Sequence, residues 1–336
     1  MTGLKRHISV MDRAWVRSKW IGRVLRSIAT GAEGSRAYPV RAIEILWNRL
    51  PAAVQSTTVM RAAGRLIHRH VRTVQQRGNA NYSANYTRFF RNLPQLELLR
   101  DLMREIPRGI PVKVAVLGCS TGAELYSAVW MIRTARPEQE VQAVGIDISE
   151  MCIQTAANGV YPIQMAEVAG ISETSYERLF CRQGDTLRVR EWLKEGVRWW
   201  TGDVCSSDLV AHFGPQDVVF ANNFLFHMDA KRAERCLREV TRLVAPEGYL
   251  FVSGVDLDVR SRAVREMGLM PVTARLEDIY TAEEGMLTAW PFRFWGLEPM
   301  DQRRQDWAPR YATVFRMPAD VRRALARNRE NTGPCS

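Results

Sequence analysis

The chain is 336 residues long, 46% hydrophobic and 25% charged, which is the balance of a soluble globular protein with apolar material for one large domain or a smaller pair. No apolar run reaches the length of a membrane span, and Lys5, Arg6, Asp12 and Arg13 occupy the stretch where a secretory signal needs an apolar core. The net charge is +11, and six cysteines without a CxxC pair argue against a disulfide framework, so the expected setting is the reducing cytoplasm.

The charge is unevenly placed. Residues 1–108 carry 20 Lys and Arg against 6 Asp and Glu, and the remainder carries 27 against 30, so all the excess basicity is N-terminal. Such asymmetry points to an acidic partner surface, a nucleic acid or an anionic membrane face met by the first third of the chain.

In chain order, residues 1–36 are Arg-rich and close with the glycine-containing stretch 31–35; they read as a solvated helix or as one lying on a membrane. The pattern over 39–77 is helical. Between Arg61 and Val74 it predicts an amphipathic helix with Arg61, Arg65, His68 and Arg72 on one face and Ala63, Leu66, Ile67 and Val74 opposite. That basic stripe reads either as a solvated face or as a dock for an acidic substrate. The polar loop over 78–83, GNANYS, predicts a boundary: a basic helical region over 1–80, a main domain over 81–318 and a tail over 319–336.

The main domain opens on NYTRFFRN, in which Phe89 and Phe90 read as core and Asn85, Thr87 and Arg91 as polar groups. Pro94 then starts a helix whose buried side is Leu98, Leu99, Leu102 and Ile106. The stretch over 112–127, VKVAVLGCSTGAELYS, is a buried parallel-type strand running into a turn with Gly118 and Gly122 and a helix from Ala123. Glycines there let the backbone approach a ligand, and a helix start offers N–H groups to it. The spacing is not GxGxxG, which disfavours a nicotinamide or flavin dinucleotide.

A second strand over 141–147 ends in Asp147, placed to hold ribose hydroxyls, and a third over 197–203 ends in Asp203, able to accept from an adenine amino group. Either acid reads equally as a helix cap. Between them lie a helix over 148–158 and an irregular insertion near 161–196 with a short hairpin over 182–189. A fourth strand over 217–221 delivers Asn222, Asn223 and His227 to its C-terminal end. A helix over 230–243, a fifth strand over 249–253, a Trp-rich piece, WPFRFWGLEPM, and a final strand over 311–315 complete the domain. The pattern contains no metal-ligand cluster.

Four stretches in this order, NYTRFFR, GCSTGAELYS, GIDIS and DVVFANNFLFHM, resemble NxTxFFR, GCSTGEEPYS, TDID and DLIFCRNVLIYF of the CheR-type S-adenosylmethionine-dependent methyltransferases, the chemoreceptor glutamate O-methyltransferase family. The resemblance covers about half the chain, 85–253, and implies a Rossmann-like α/β methyltransferase fold with a mostly parallel seven-stranded sheet behind the basic helical region. It implies S-adenosylmethionine contacts at Asn85, Thr87, Arg91, Glu124, Asp147, Asp203, Val204, Asn222 and Asn223, beside the turn glycines Gly118 and Gly122.

Departures from the family stand at Ala123 and Leu125, at Asn222 where the family has arginine, at Asp203 and Val204 in place of an Asn-Leu pair, and at His227 in place of a tyrosine near the transferred methyl. The insertion around Gln183 and Gly184 is shorter than the family's receptor-binding hairpin. Three functions follow as expectations. One is methyl transfer to a protein carboxylate, ionised at neutral pH and oriented by Arg91. Another is transfer to a small metabolite hydroxyl or amine with His227 as base. The third is a binding protein that holds the cofactor without transferring methyl.

Overall fold

The computed structural model describes residues 40–55, 57–78, 87–164, 171–282, 290–292 and 297–319. Asn85 and residues 1–36 lie outside them, as do the side chains of Arg72 and Val74. The chain divides into two compact units, 1–80 with 285–294, and 81–284 with 295–336.

The first unit contains α1 (Val40–Asn48), α2 (Ala52–Gln55) and α3 (Thr58–Gly78). Its core is Ile43, Trp47, Leu50, Met60, Ala63, Ile67 and Val71, completed by Phe292 from far along the chain. Trp290 stands edge-on to Trp47 at 5.6 Å, and position 64 has to be glycine because a Cβ there would lie 2.0 Å from the Trp290 ring. His68 belongs to this packed side: it is 9% exposed and its Nδ1 lies 3.0 Å from the Pro291 carbonyl oxygen. The basic stripe therefore loses His68, because the buried face of α3 runs through 60, 63, 64, 67, 68 and 71, one helical step round from Arg61 and Arg65. Phe292, from the Trp-rich piece, belongs to this core, and Trp290 packs against it.

The second unit is built on β1 (Val112–Leu117), β2 (Val141–Asp147), β6 (Val197–Thr201), β7 (Gln216–Phe220), β8 (Val244–Phe251), β9 (Met270–Pro271) and β10 (Val314–Arg316). They form one sheet in the order β6-β2-β1-β7-β8-β10-β9. The first five pair in parallel, and β10 runs antiparallel to both of its neighbours. Val112, Val114, Ala115, Val116 and Leu117 have no exposed surface, as a strand covered on both faces requires. The order reverses at β1 and β7, so a crevice opens at their carboxyl ends.

An insertion adds β3 (Val160–Pro162), β4 (Phe180–Gln183) and β5 (Thr186–Val189) as a small antiparallel sheet, β3-β5-β4, whose hairpin turns at Gly184. Its first strand is tied to the main domain where the Tyr161 hydroxyl donates to the Thr121 carbonyl at 2.6 Å. Phe89 is core, stacked on Tyr126 and edge-on to Tyr161 and Phe180, while Phe90 is half-buried against Trp130.

Three expected boundaries move. The third strand stops at Thr201, leaving Asp203 in the following turn. β8 begins at Val244 rather than 249, because Pro246 sits in an irregularity where Gln216 pairs Val244 but Val218 pairs Tyr249, and such a bulge tolerates a residue without an N–H. Tyr311 ends a short helix, Trp307–Tyr311, and the last strand starts only at Val314. Tertiary bonds override the β pattern there: the Tyr311 hydroxyl donates to Glu298 at 3.0 Å, and the Arg310 guanidinium reaches Glu298 at 2.7 Å and Asp258 at 2.9 Å.

Candidate functional site

The crevice is floored by the turn from β1 into α5 (Ala123–Ala135). Gly118, Ser120 and Gly122 of its five residues all have positive φ, at 65°, 49° and 90°. A Cβ at Gly118 would lie 2.9 Å from the Phe224 ring and one at Gly122 2.6 Å from the Trp199 ring, so the glycines are needed for space as well as for backbone conformation. Ser120 has no such licence, and a left-handed non-glycine residue costs about 1–2 kcal/mol. The Ser120 amide is held in place by donating to Asp147 Oδ2 at 2.8 Å. Gly122 caps α5 without a side-chain hydrogen bond, and Glu124 lies in the first turn, where the helix dipole favours an anion.

Asp147 is 8% exposed and joins two elements. Its Oδ2 takes the Ser120 amide, and its Oδ1 takes the amide of Ser149, which caps α6 (Glu150–Asn158), at 2.9 Å. A carboxylate has about four acceptor positions, so capacity remains for ligand hydroxyls. Asp203 is exposed and organises its own turn, Oδ1 accepting from the Cys205 amide at 2.9 Å, with Val204 buried behind it.

Across the crevice, Asn222 is 6% exposed and donates through Nδ2 to Gln95 Oε1 at 2.9 Å and to Glu124 Oε1 at 2.8 Å. Its Oδ1 is buried without a hydrogen-bond partner among the described residues. Asn223 is left-handed at φ 59°, its amide donating to the Ser253 carbonyl at 3.1 Å. Thr87 is buried and Arg91 half-buried, and their segment is fastened to α5 where the Phe90 amide donates to Ser127 Oγ at 3.0 Å.

His227 closes a 3-10 turn, Leu225–His227, beyond β7 and stands exposed with its ring 4.0 Å from that of Phe226. The protein surface packed around the ring holds its pKa below the usual histidine value, so the imidazole is neutral at neutral pH.

Three neighbours escaped the sequence reading. Gln95 lies on the buried face of α4 (Leu93–Leu102), and its signal was a polar residue among leucines. Ile148 and Met151, which follow Asp147 in the chain, are apolar side chains left 72% and 70% exposed. A cavity of about 730 Å³ lined by Arg133, Glu138, Arg178, Trp192 and Glu195 opens elsewhere, beside the start of β2 and away from the glycine turn.

Residues 85–263 match the family described as CheR methyltransferase, SAM binding domain. A protein of Pseudomonas aeruginosa named "Probable biofilm formation methyltransferase WspC" is 25% identical over 196 residues, 58% of this chain and 44% of that protein. The chemotaxis protein methyltransferase of Klebsiella aerogenes is 27% identical over 176 residues, 50% of this chain and 59% of that protein. The chain spans about half the length of the curated relatives it matches. Among solved structures, the N-methyltransferase NodS of Bradyrhizobium japonicum aligns at 14% identity and a TM-score of 0.32, over 61% of this chain and 87% of that one.

Proposed function

The chain belongs to the CheR methyltransferase family, and from that premise we propose that it transfers the methyl group of S-adenosylmethionine to a carboxylate of a protein partner, glutamate in the first instance. The observation that carries the reading is the pairing of a glycine-cradled turn with Asp147 on one side of the crevice and the partnerless buried Asn222 Oδ1 on the other.

These residues fit the cofactor. Asp147 retains acceptor capacity suited to ribose hydroxyls, and Ile148 and Met151 offer apolar surface beside it. Asp203 with Val204 would hold the adenine end. Glu124, Asn222, Asn223, Thr87, Arg91 and Asn85 would hold the amino-acid end. When bound, S-adenosylmethionine supplies a methyl group on a positively charged sulfur, an activated leaving group. The chain's task is then to hold the acceptor in line and exclude water.

A carboxylate acceptor is ionised at neutral pH, so Arg91 orients it and no base is required. A second reading, a hydroxyl or amine acceptor on a small molecule, is favoured by one observation: His227 stands at the end of β7 as a neutral imidazole able to take a proton. Radiolabelled methyl transfer into lysate followed by mild base separates the two. Release of labelled methanol supports the ester, and base-stable label would make the carboxylate reading wrong.

In this scheme the expected domain over 81–318, less the stretch 285–294 that groups with the first unit, is catalytic, and the basic region over 1–80 recruits an acidic partner through Arg61, Arg65 and Arg72, with a nucleic acid disfavoured. No helix among the described residues is long and apolar enough to cross a membrane. We assign the activity to the cytoplasm.

A further inference from the structure

Gln95 is 3% exposed, and its side chain joins two distant parts of the chain. Its Nε2 donates to Thr313 Oγ1 at 3.1 Å, just ahead of β10, and its Oε1 accepts from Asn222 Nδ2 at 2.9 Å, just beyond β7. The direction of these bonds decides how the Asn222 amide lies. Both hydrogens of Asn222 Nδ2 are taken, one by Gln95 Oε1 and the other by Glu124 Oε1 at 2.8 Å. Turning the Asn222 amide over would set its oxygen against an amide oxygen and a carboxylate together, two acceptor pairs with no proton between them. Turning Gln95 over as well would relieve the first of these, with the Thr313 hydroxyl then donating to the Gln95 oxygen, but the Glu124 carboxylate would still face the Asn222 oxygen. The chain Thr313, Gln95, Asn222, Glu124 therefore has one favourable orientation, and it leaves Asn222 Oδ1 as a buried acceptor without a donor among the described residues.

Leaving a buried carbonyl unsatisfied is unfavourable, and a ligand donor relieves it. We propose that Gln95 is a positioning residue for S-adenosylmethionine: it touches no reacting atom, but by fixing the Asn222 amide it presents that oxygen to the cofactor as an acceptor. The proposal rests on the reading that Asn222 belongs to the cofactor site.

The test is calorimetric titration of the full-length chain with S-adenosylmethionine, alongside apo thermal melting and the Michaelis constant for the cofactor. Gln95→Met, close in shape but unable to fix the amide, should weaken binding about tenfold and raise the Michaelis constant while kcat holds. Gln95→Glu still accepts from Asn222 and should recover most of the affinity. In an Asn222→Ala background, Gln95→Met should weaken binding no further, because its effect passes through Asn222. An equal loss in both backgrounds, or wild-type affinity in Gln95→Met, would overturn the proposal. If Gln95→Met does not fold, Thr313→Val removes the anchor alone and should weaken binding severalfold; no change there overturns it as well. A wild-type chain that fails to bind, or an Asn222→Ala variant that binds normally, would instead sink the cofactor-site reading beneath it.

Discussion

The two banks of the crevice are made differently. On the β1 and β2 bank, one buried carboxylate fixes a strained turn and holds the residue that caps a helix, and both of these bonds are to backbone amides. On the β7 bank, the chain leaves the strand through left-handed Asn223 into a three-residue turn, and His227 stands in solvent against Phe226. A bank that must hold one invariant molecule can be overdetermined. Beyond the bonded Asn222 the β7 bank carries fewer constraints, and under the proposed function that is where a separate acceptor would meet the exposed ring.

The largest effect should come from removing the brace of the first bank. Asp147→Ala deprives two backbone amides of a charged acceptor, each such bond being worth about 1.5–3 kcal/mol, and under the proposed function takes away the ribose ligand as well. Cofactor affinity by calorimetry should fall about a hundredfold and the apo melting temperature should drop; a lower melting temperature with unchanged affinity would reduce Asp147 to a structural role. Next in size is Gly118→Ala, which touches both banks because the new Cβ would press on Phe224, across the crevice, at 2.9 Å. It should cost about 1–2 kcal/mol of stability from the φ of 65° alone, measured by denaturant unfolding, and weaken the cofactor about tenfold.

A smaller effect should distinguish the acceptors on the second bank. The protein surface packed around one side of the exposed His227 ring lowers its pKa, so its neutral form is favoured in the fold; that contribution to stability is complete above the unfolded value of about 6.5 and is lost as pH falls through the lower folded value. If His227 is the base, turnover measured from pH 5 to 8 should inflect below 6.5, lie flat above it, and fall about a hundredfold in His227→Ala with binding intact. A carboxylate acceptor predicts a profile flat across the whole range with His227→Tyr active. Smallest of all should be reversal of Arg61, Arg65 and Arg72 together. It should raise the acceptor Michaelis constant severalfold at low salt and leave cofactor affinity alone. Acceptor kinetics equal to wild type at every salt concentration would make the stripe a solvated face.

What could be read from the sequence follows the same division. β1 and β2 were legible because a strand buried on both faces is an unbroken apolar run, and Asp147 was legible because an acid at the end of such a run stands at a fixed place in the sheet. Gln95 was not, since its partners Asn222 and Thr313 lie 127 and 218 residues away and no local period joins them. His68 misled for the opposite reason. A histidine at helical spacing from arginines looks basic, but the Pro291 carbonyl that receives it comes from a segment more than 220 residues on. Tyr311 read as strand because YATVF has β composition, and only the buried Glu298 explains why the chain is still helical there.

The place of Trp290 and Phe292 in the first unit has a consequence in time. A ribosome delivers residues 40–78 early, yet the helices they form lack Phe292 and the indole that covers Gly64 until more than 200 further residues have been made. This unit therefore completes its core only after most of the chain has been made, against the usual order in which an N-terminal domain finishes first.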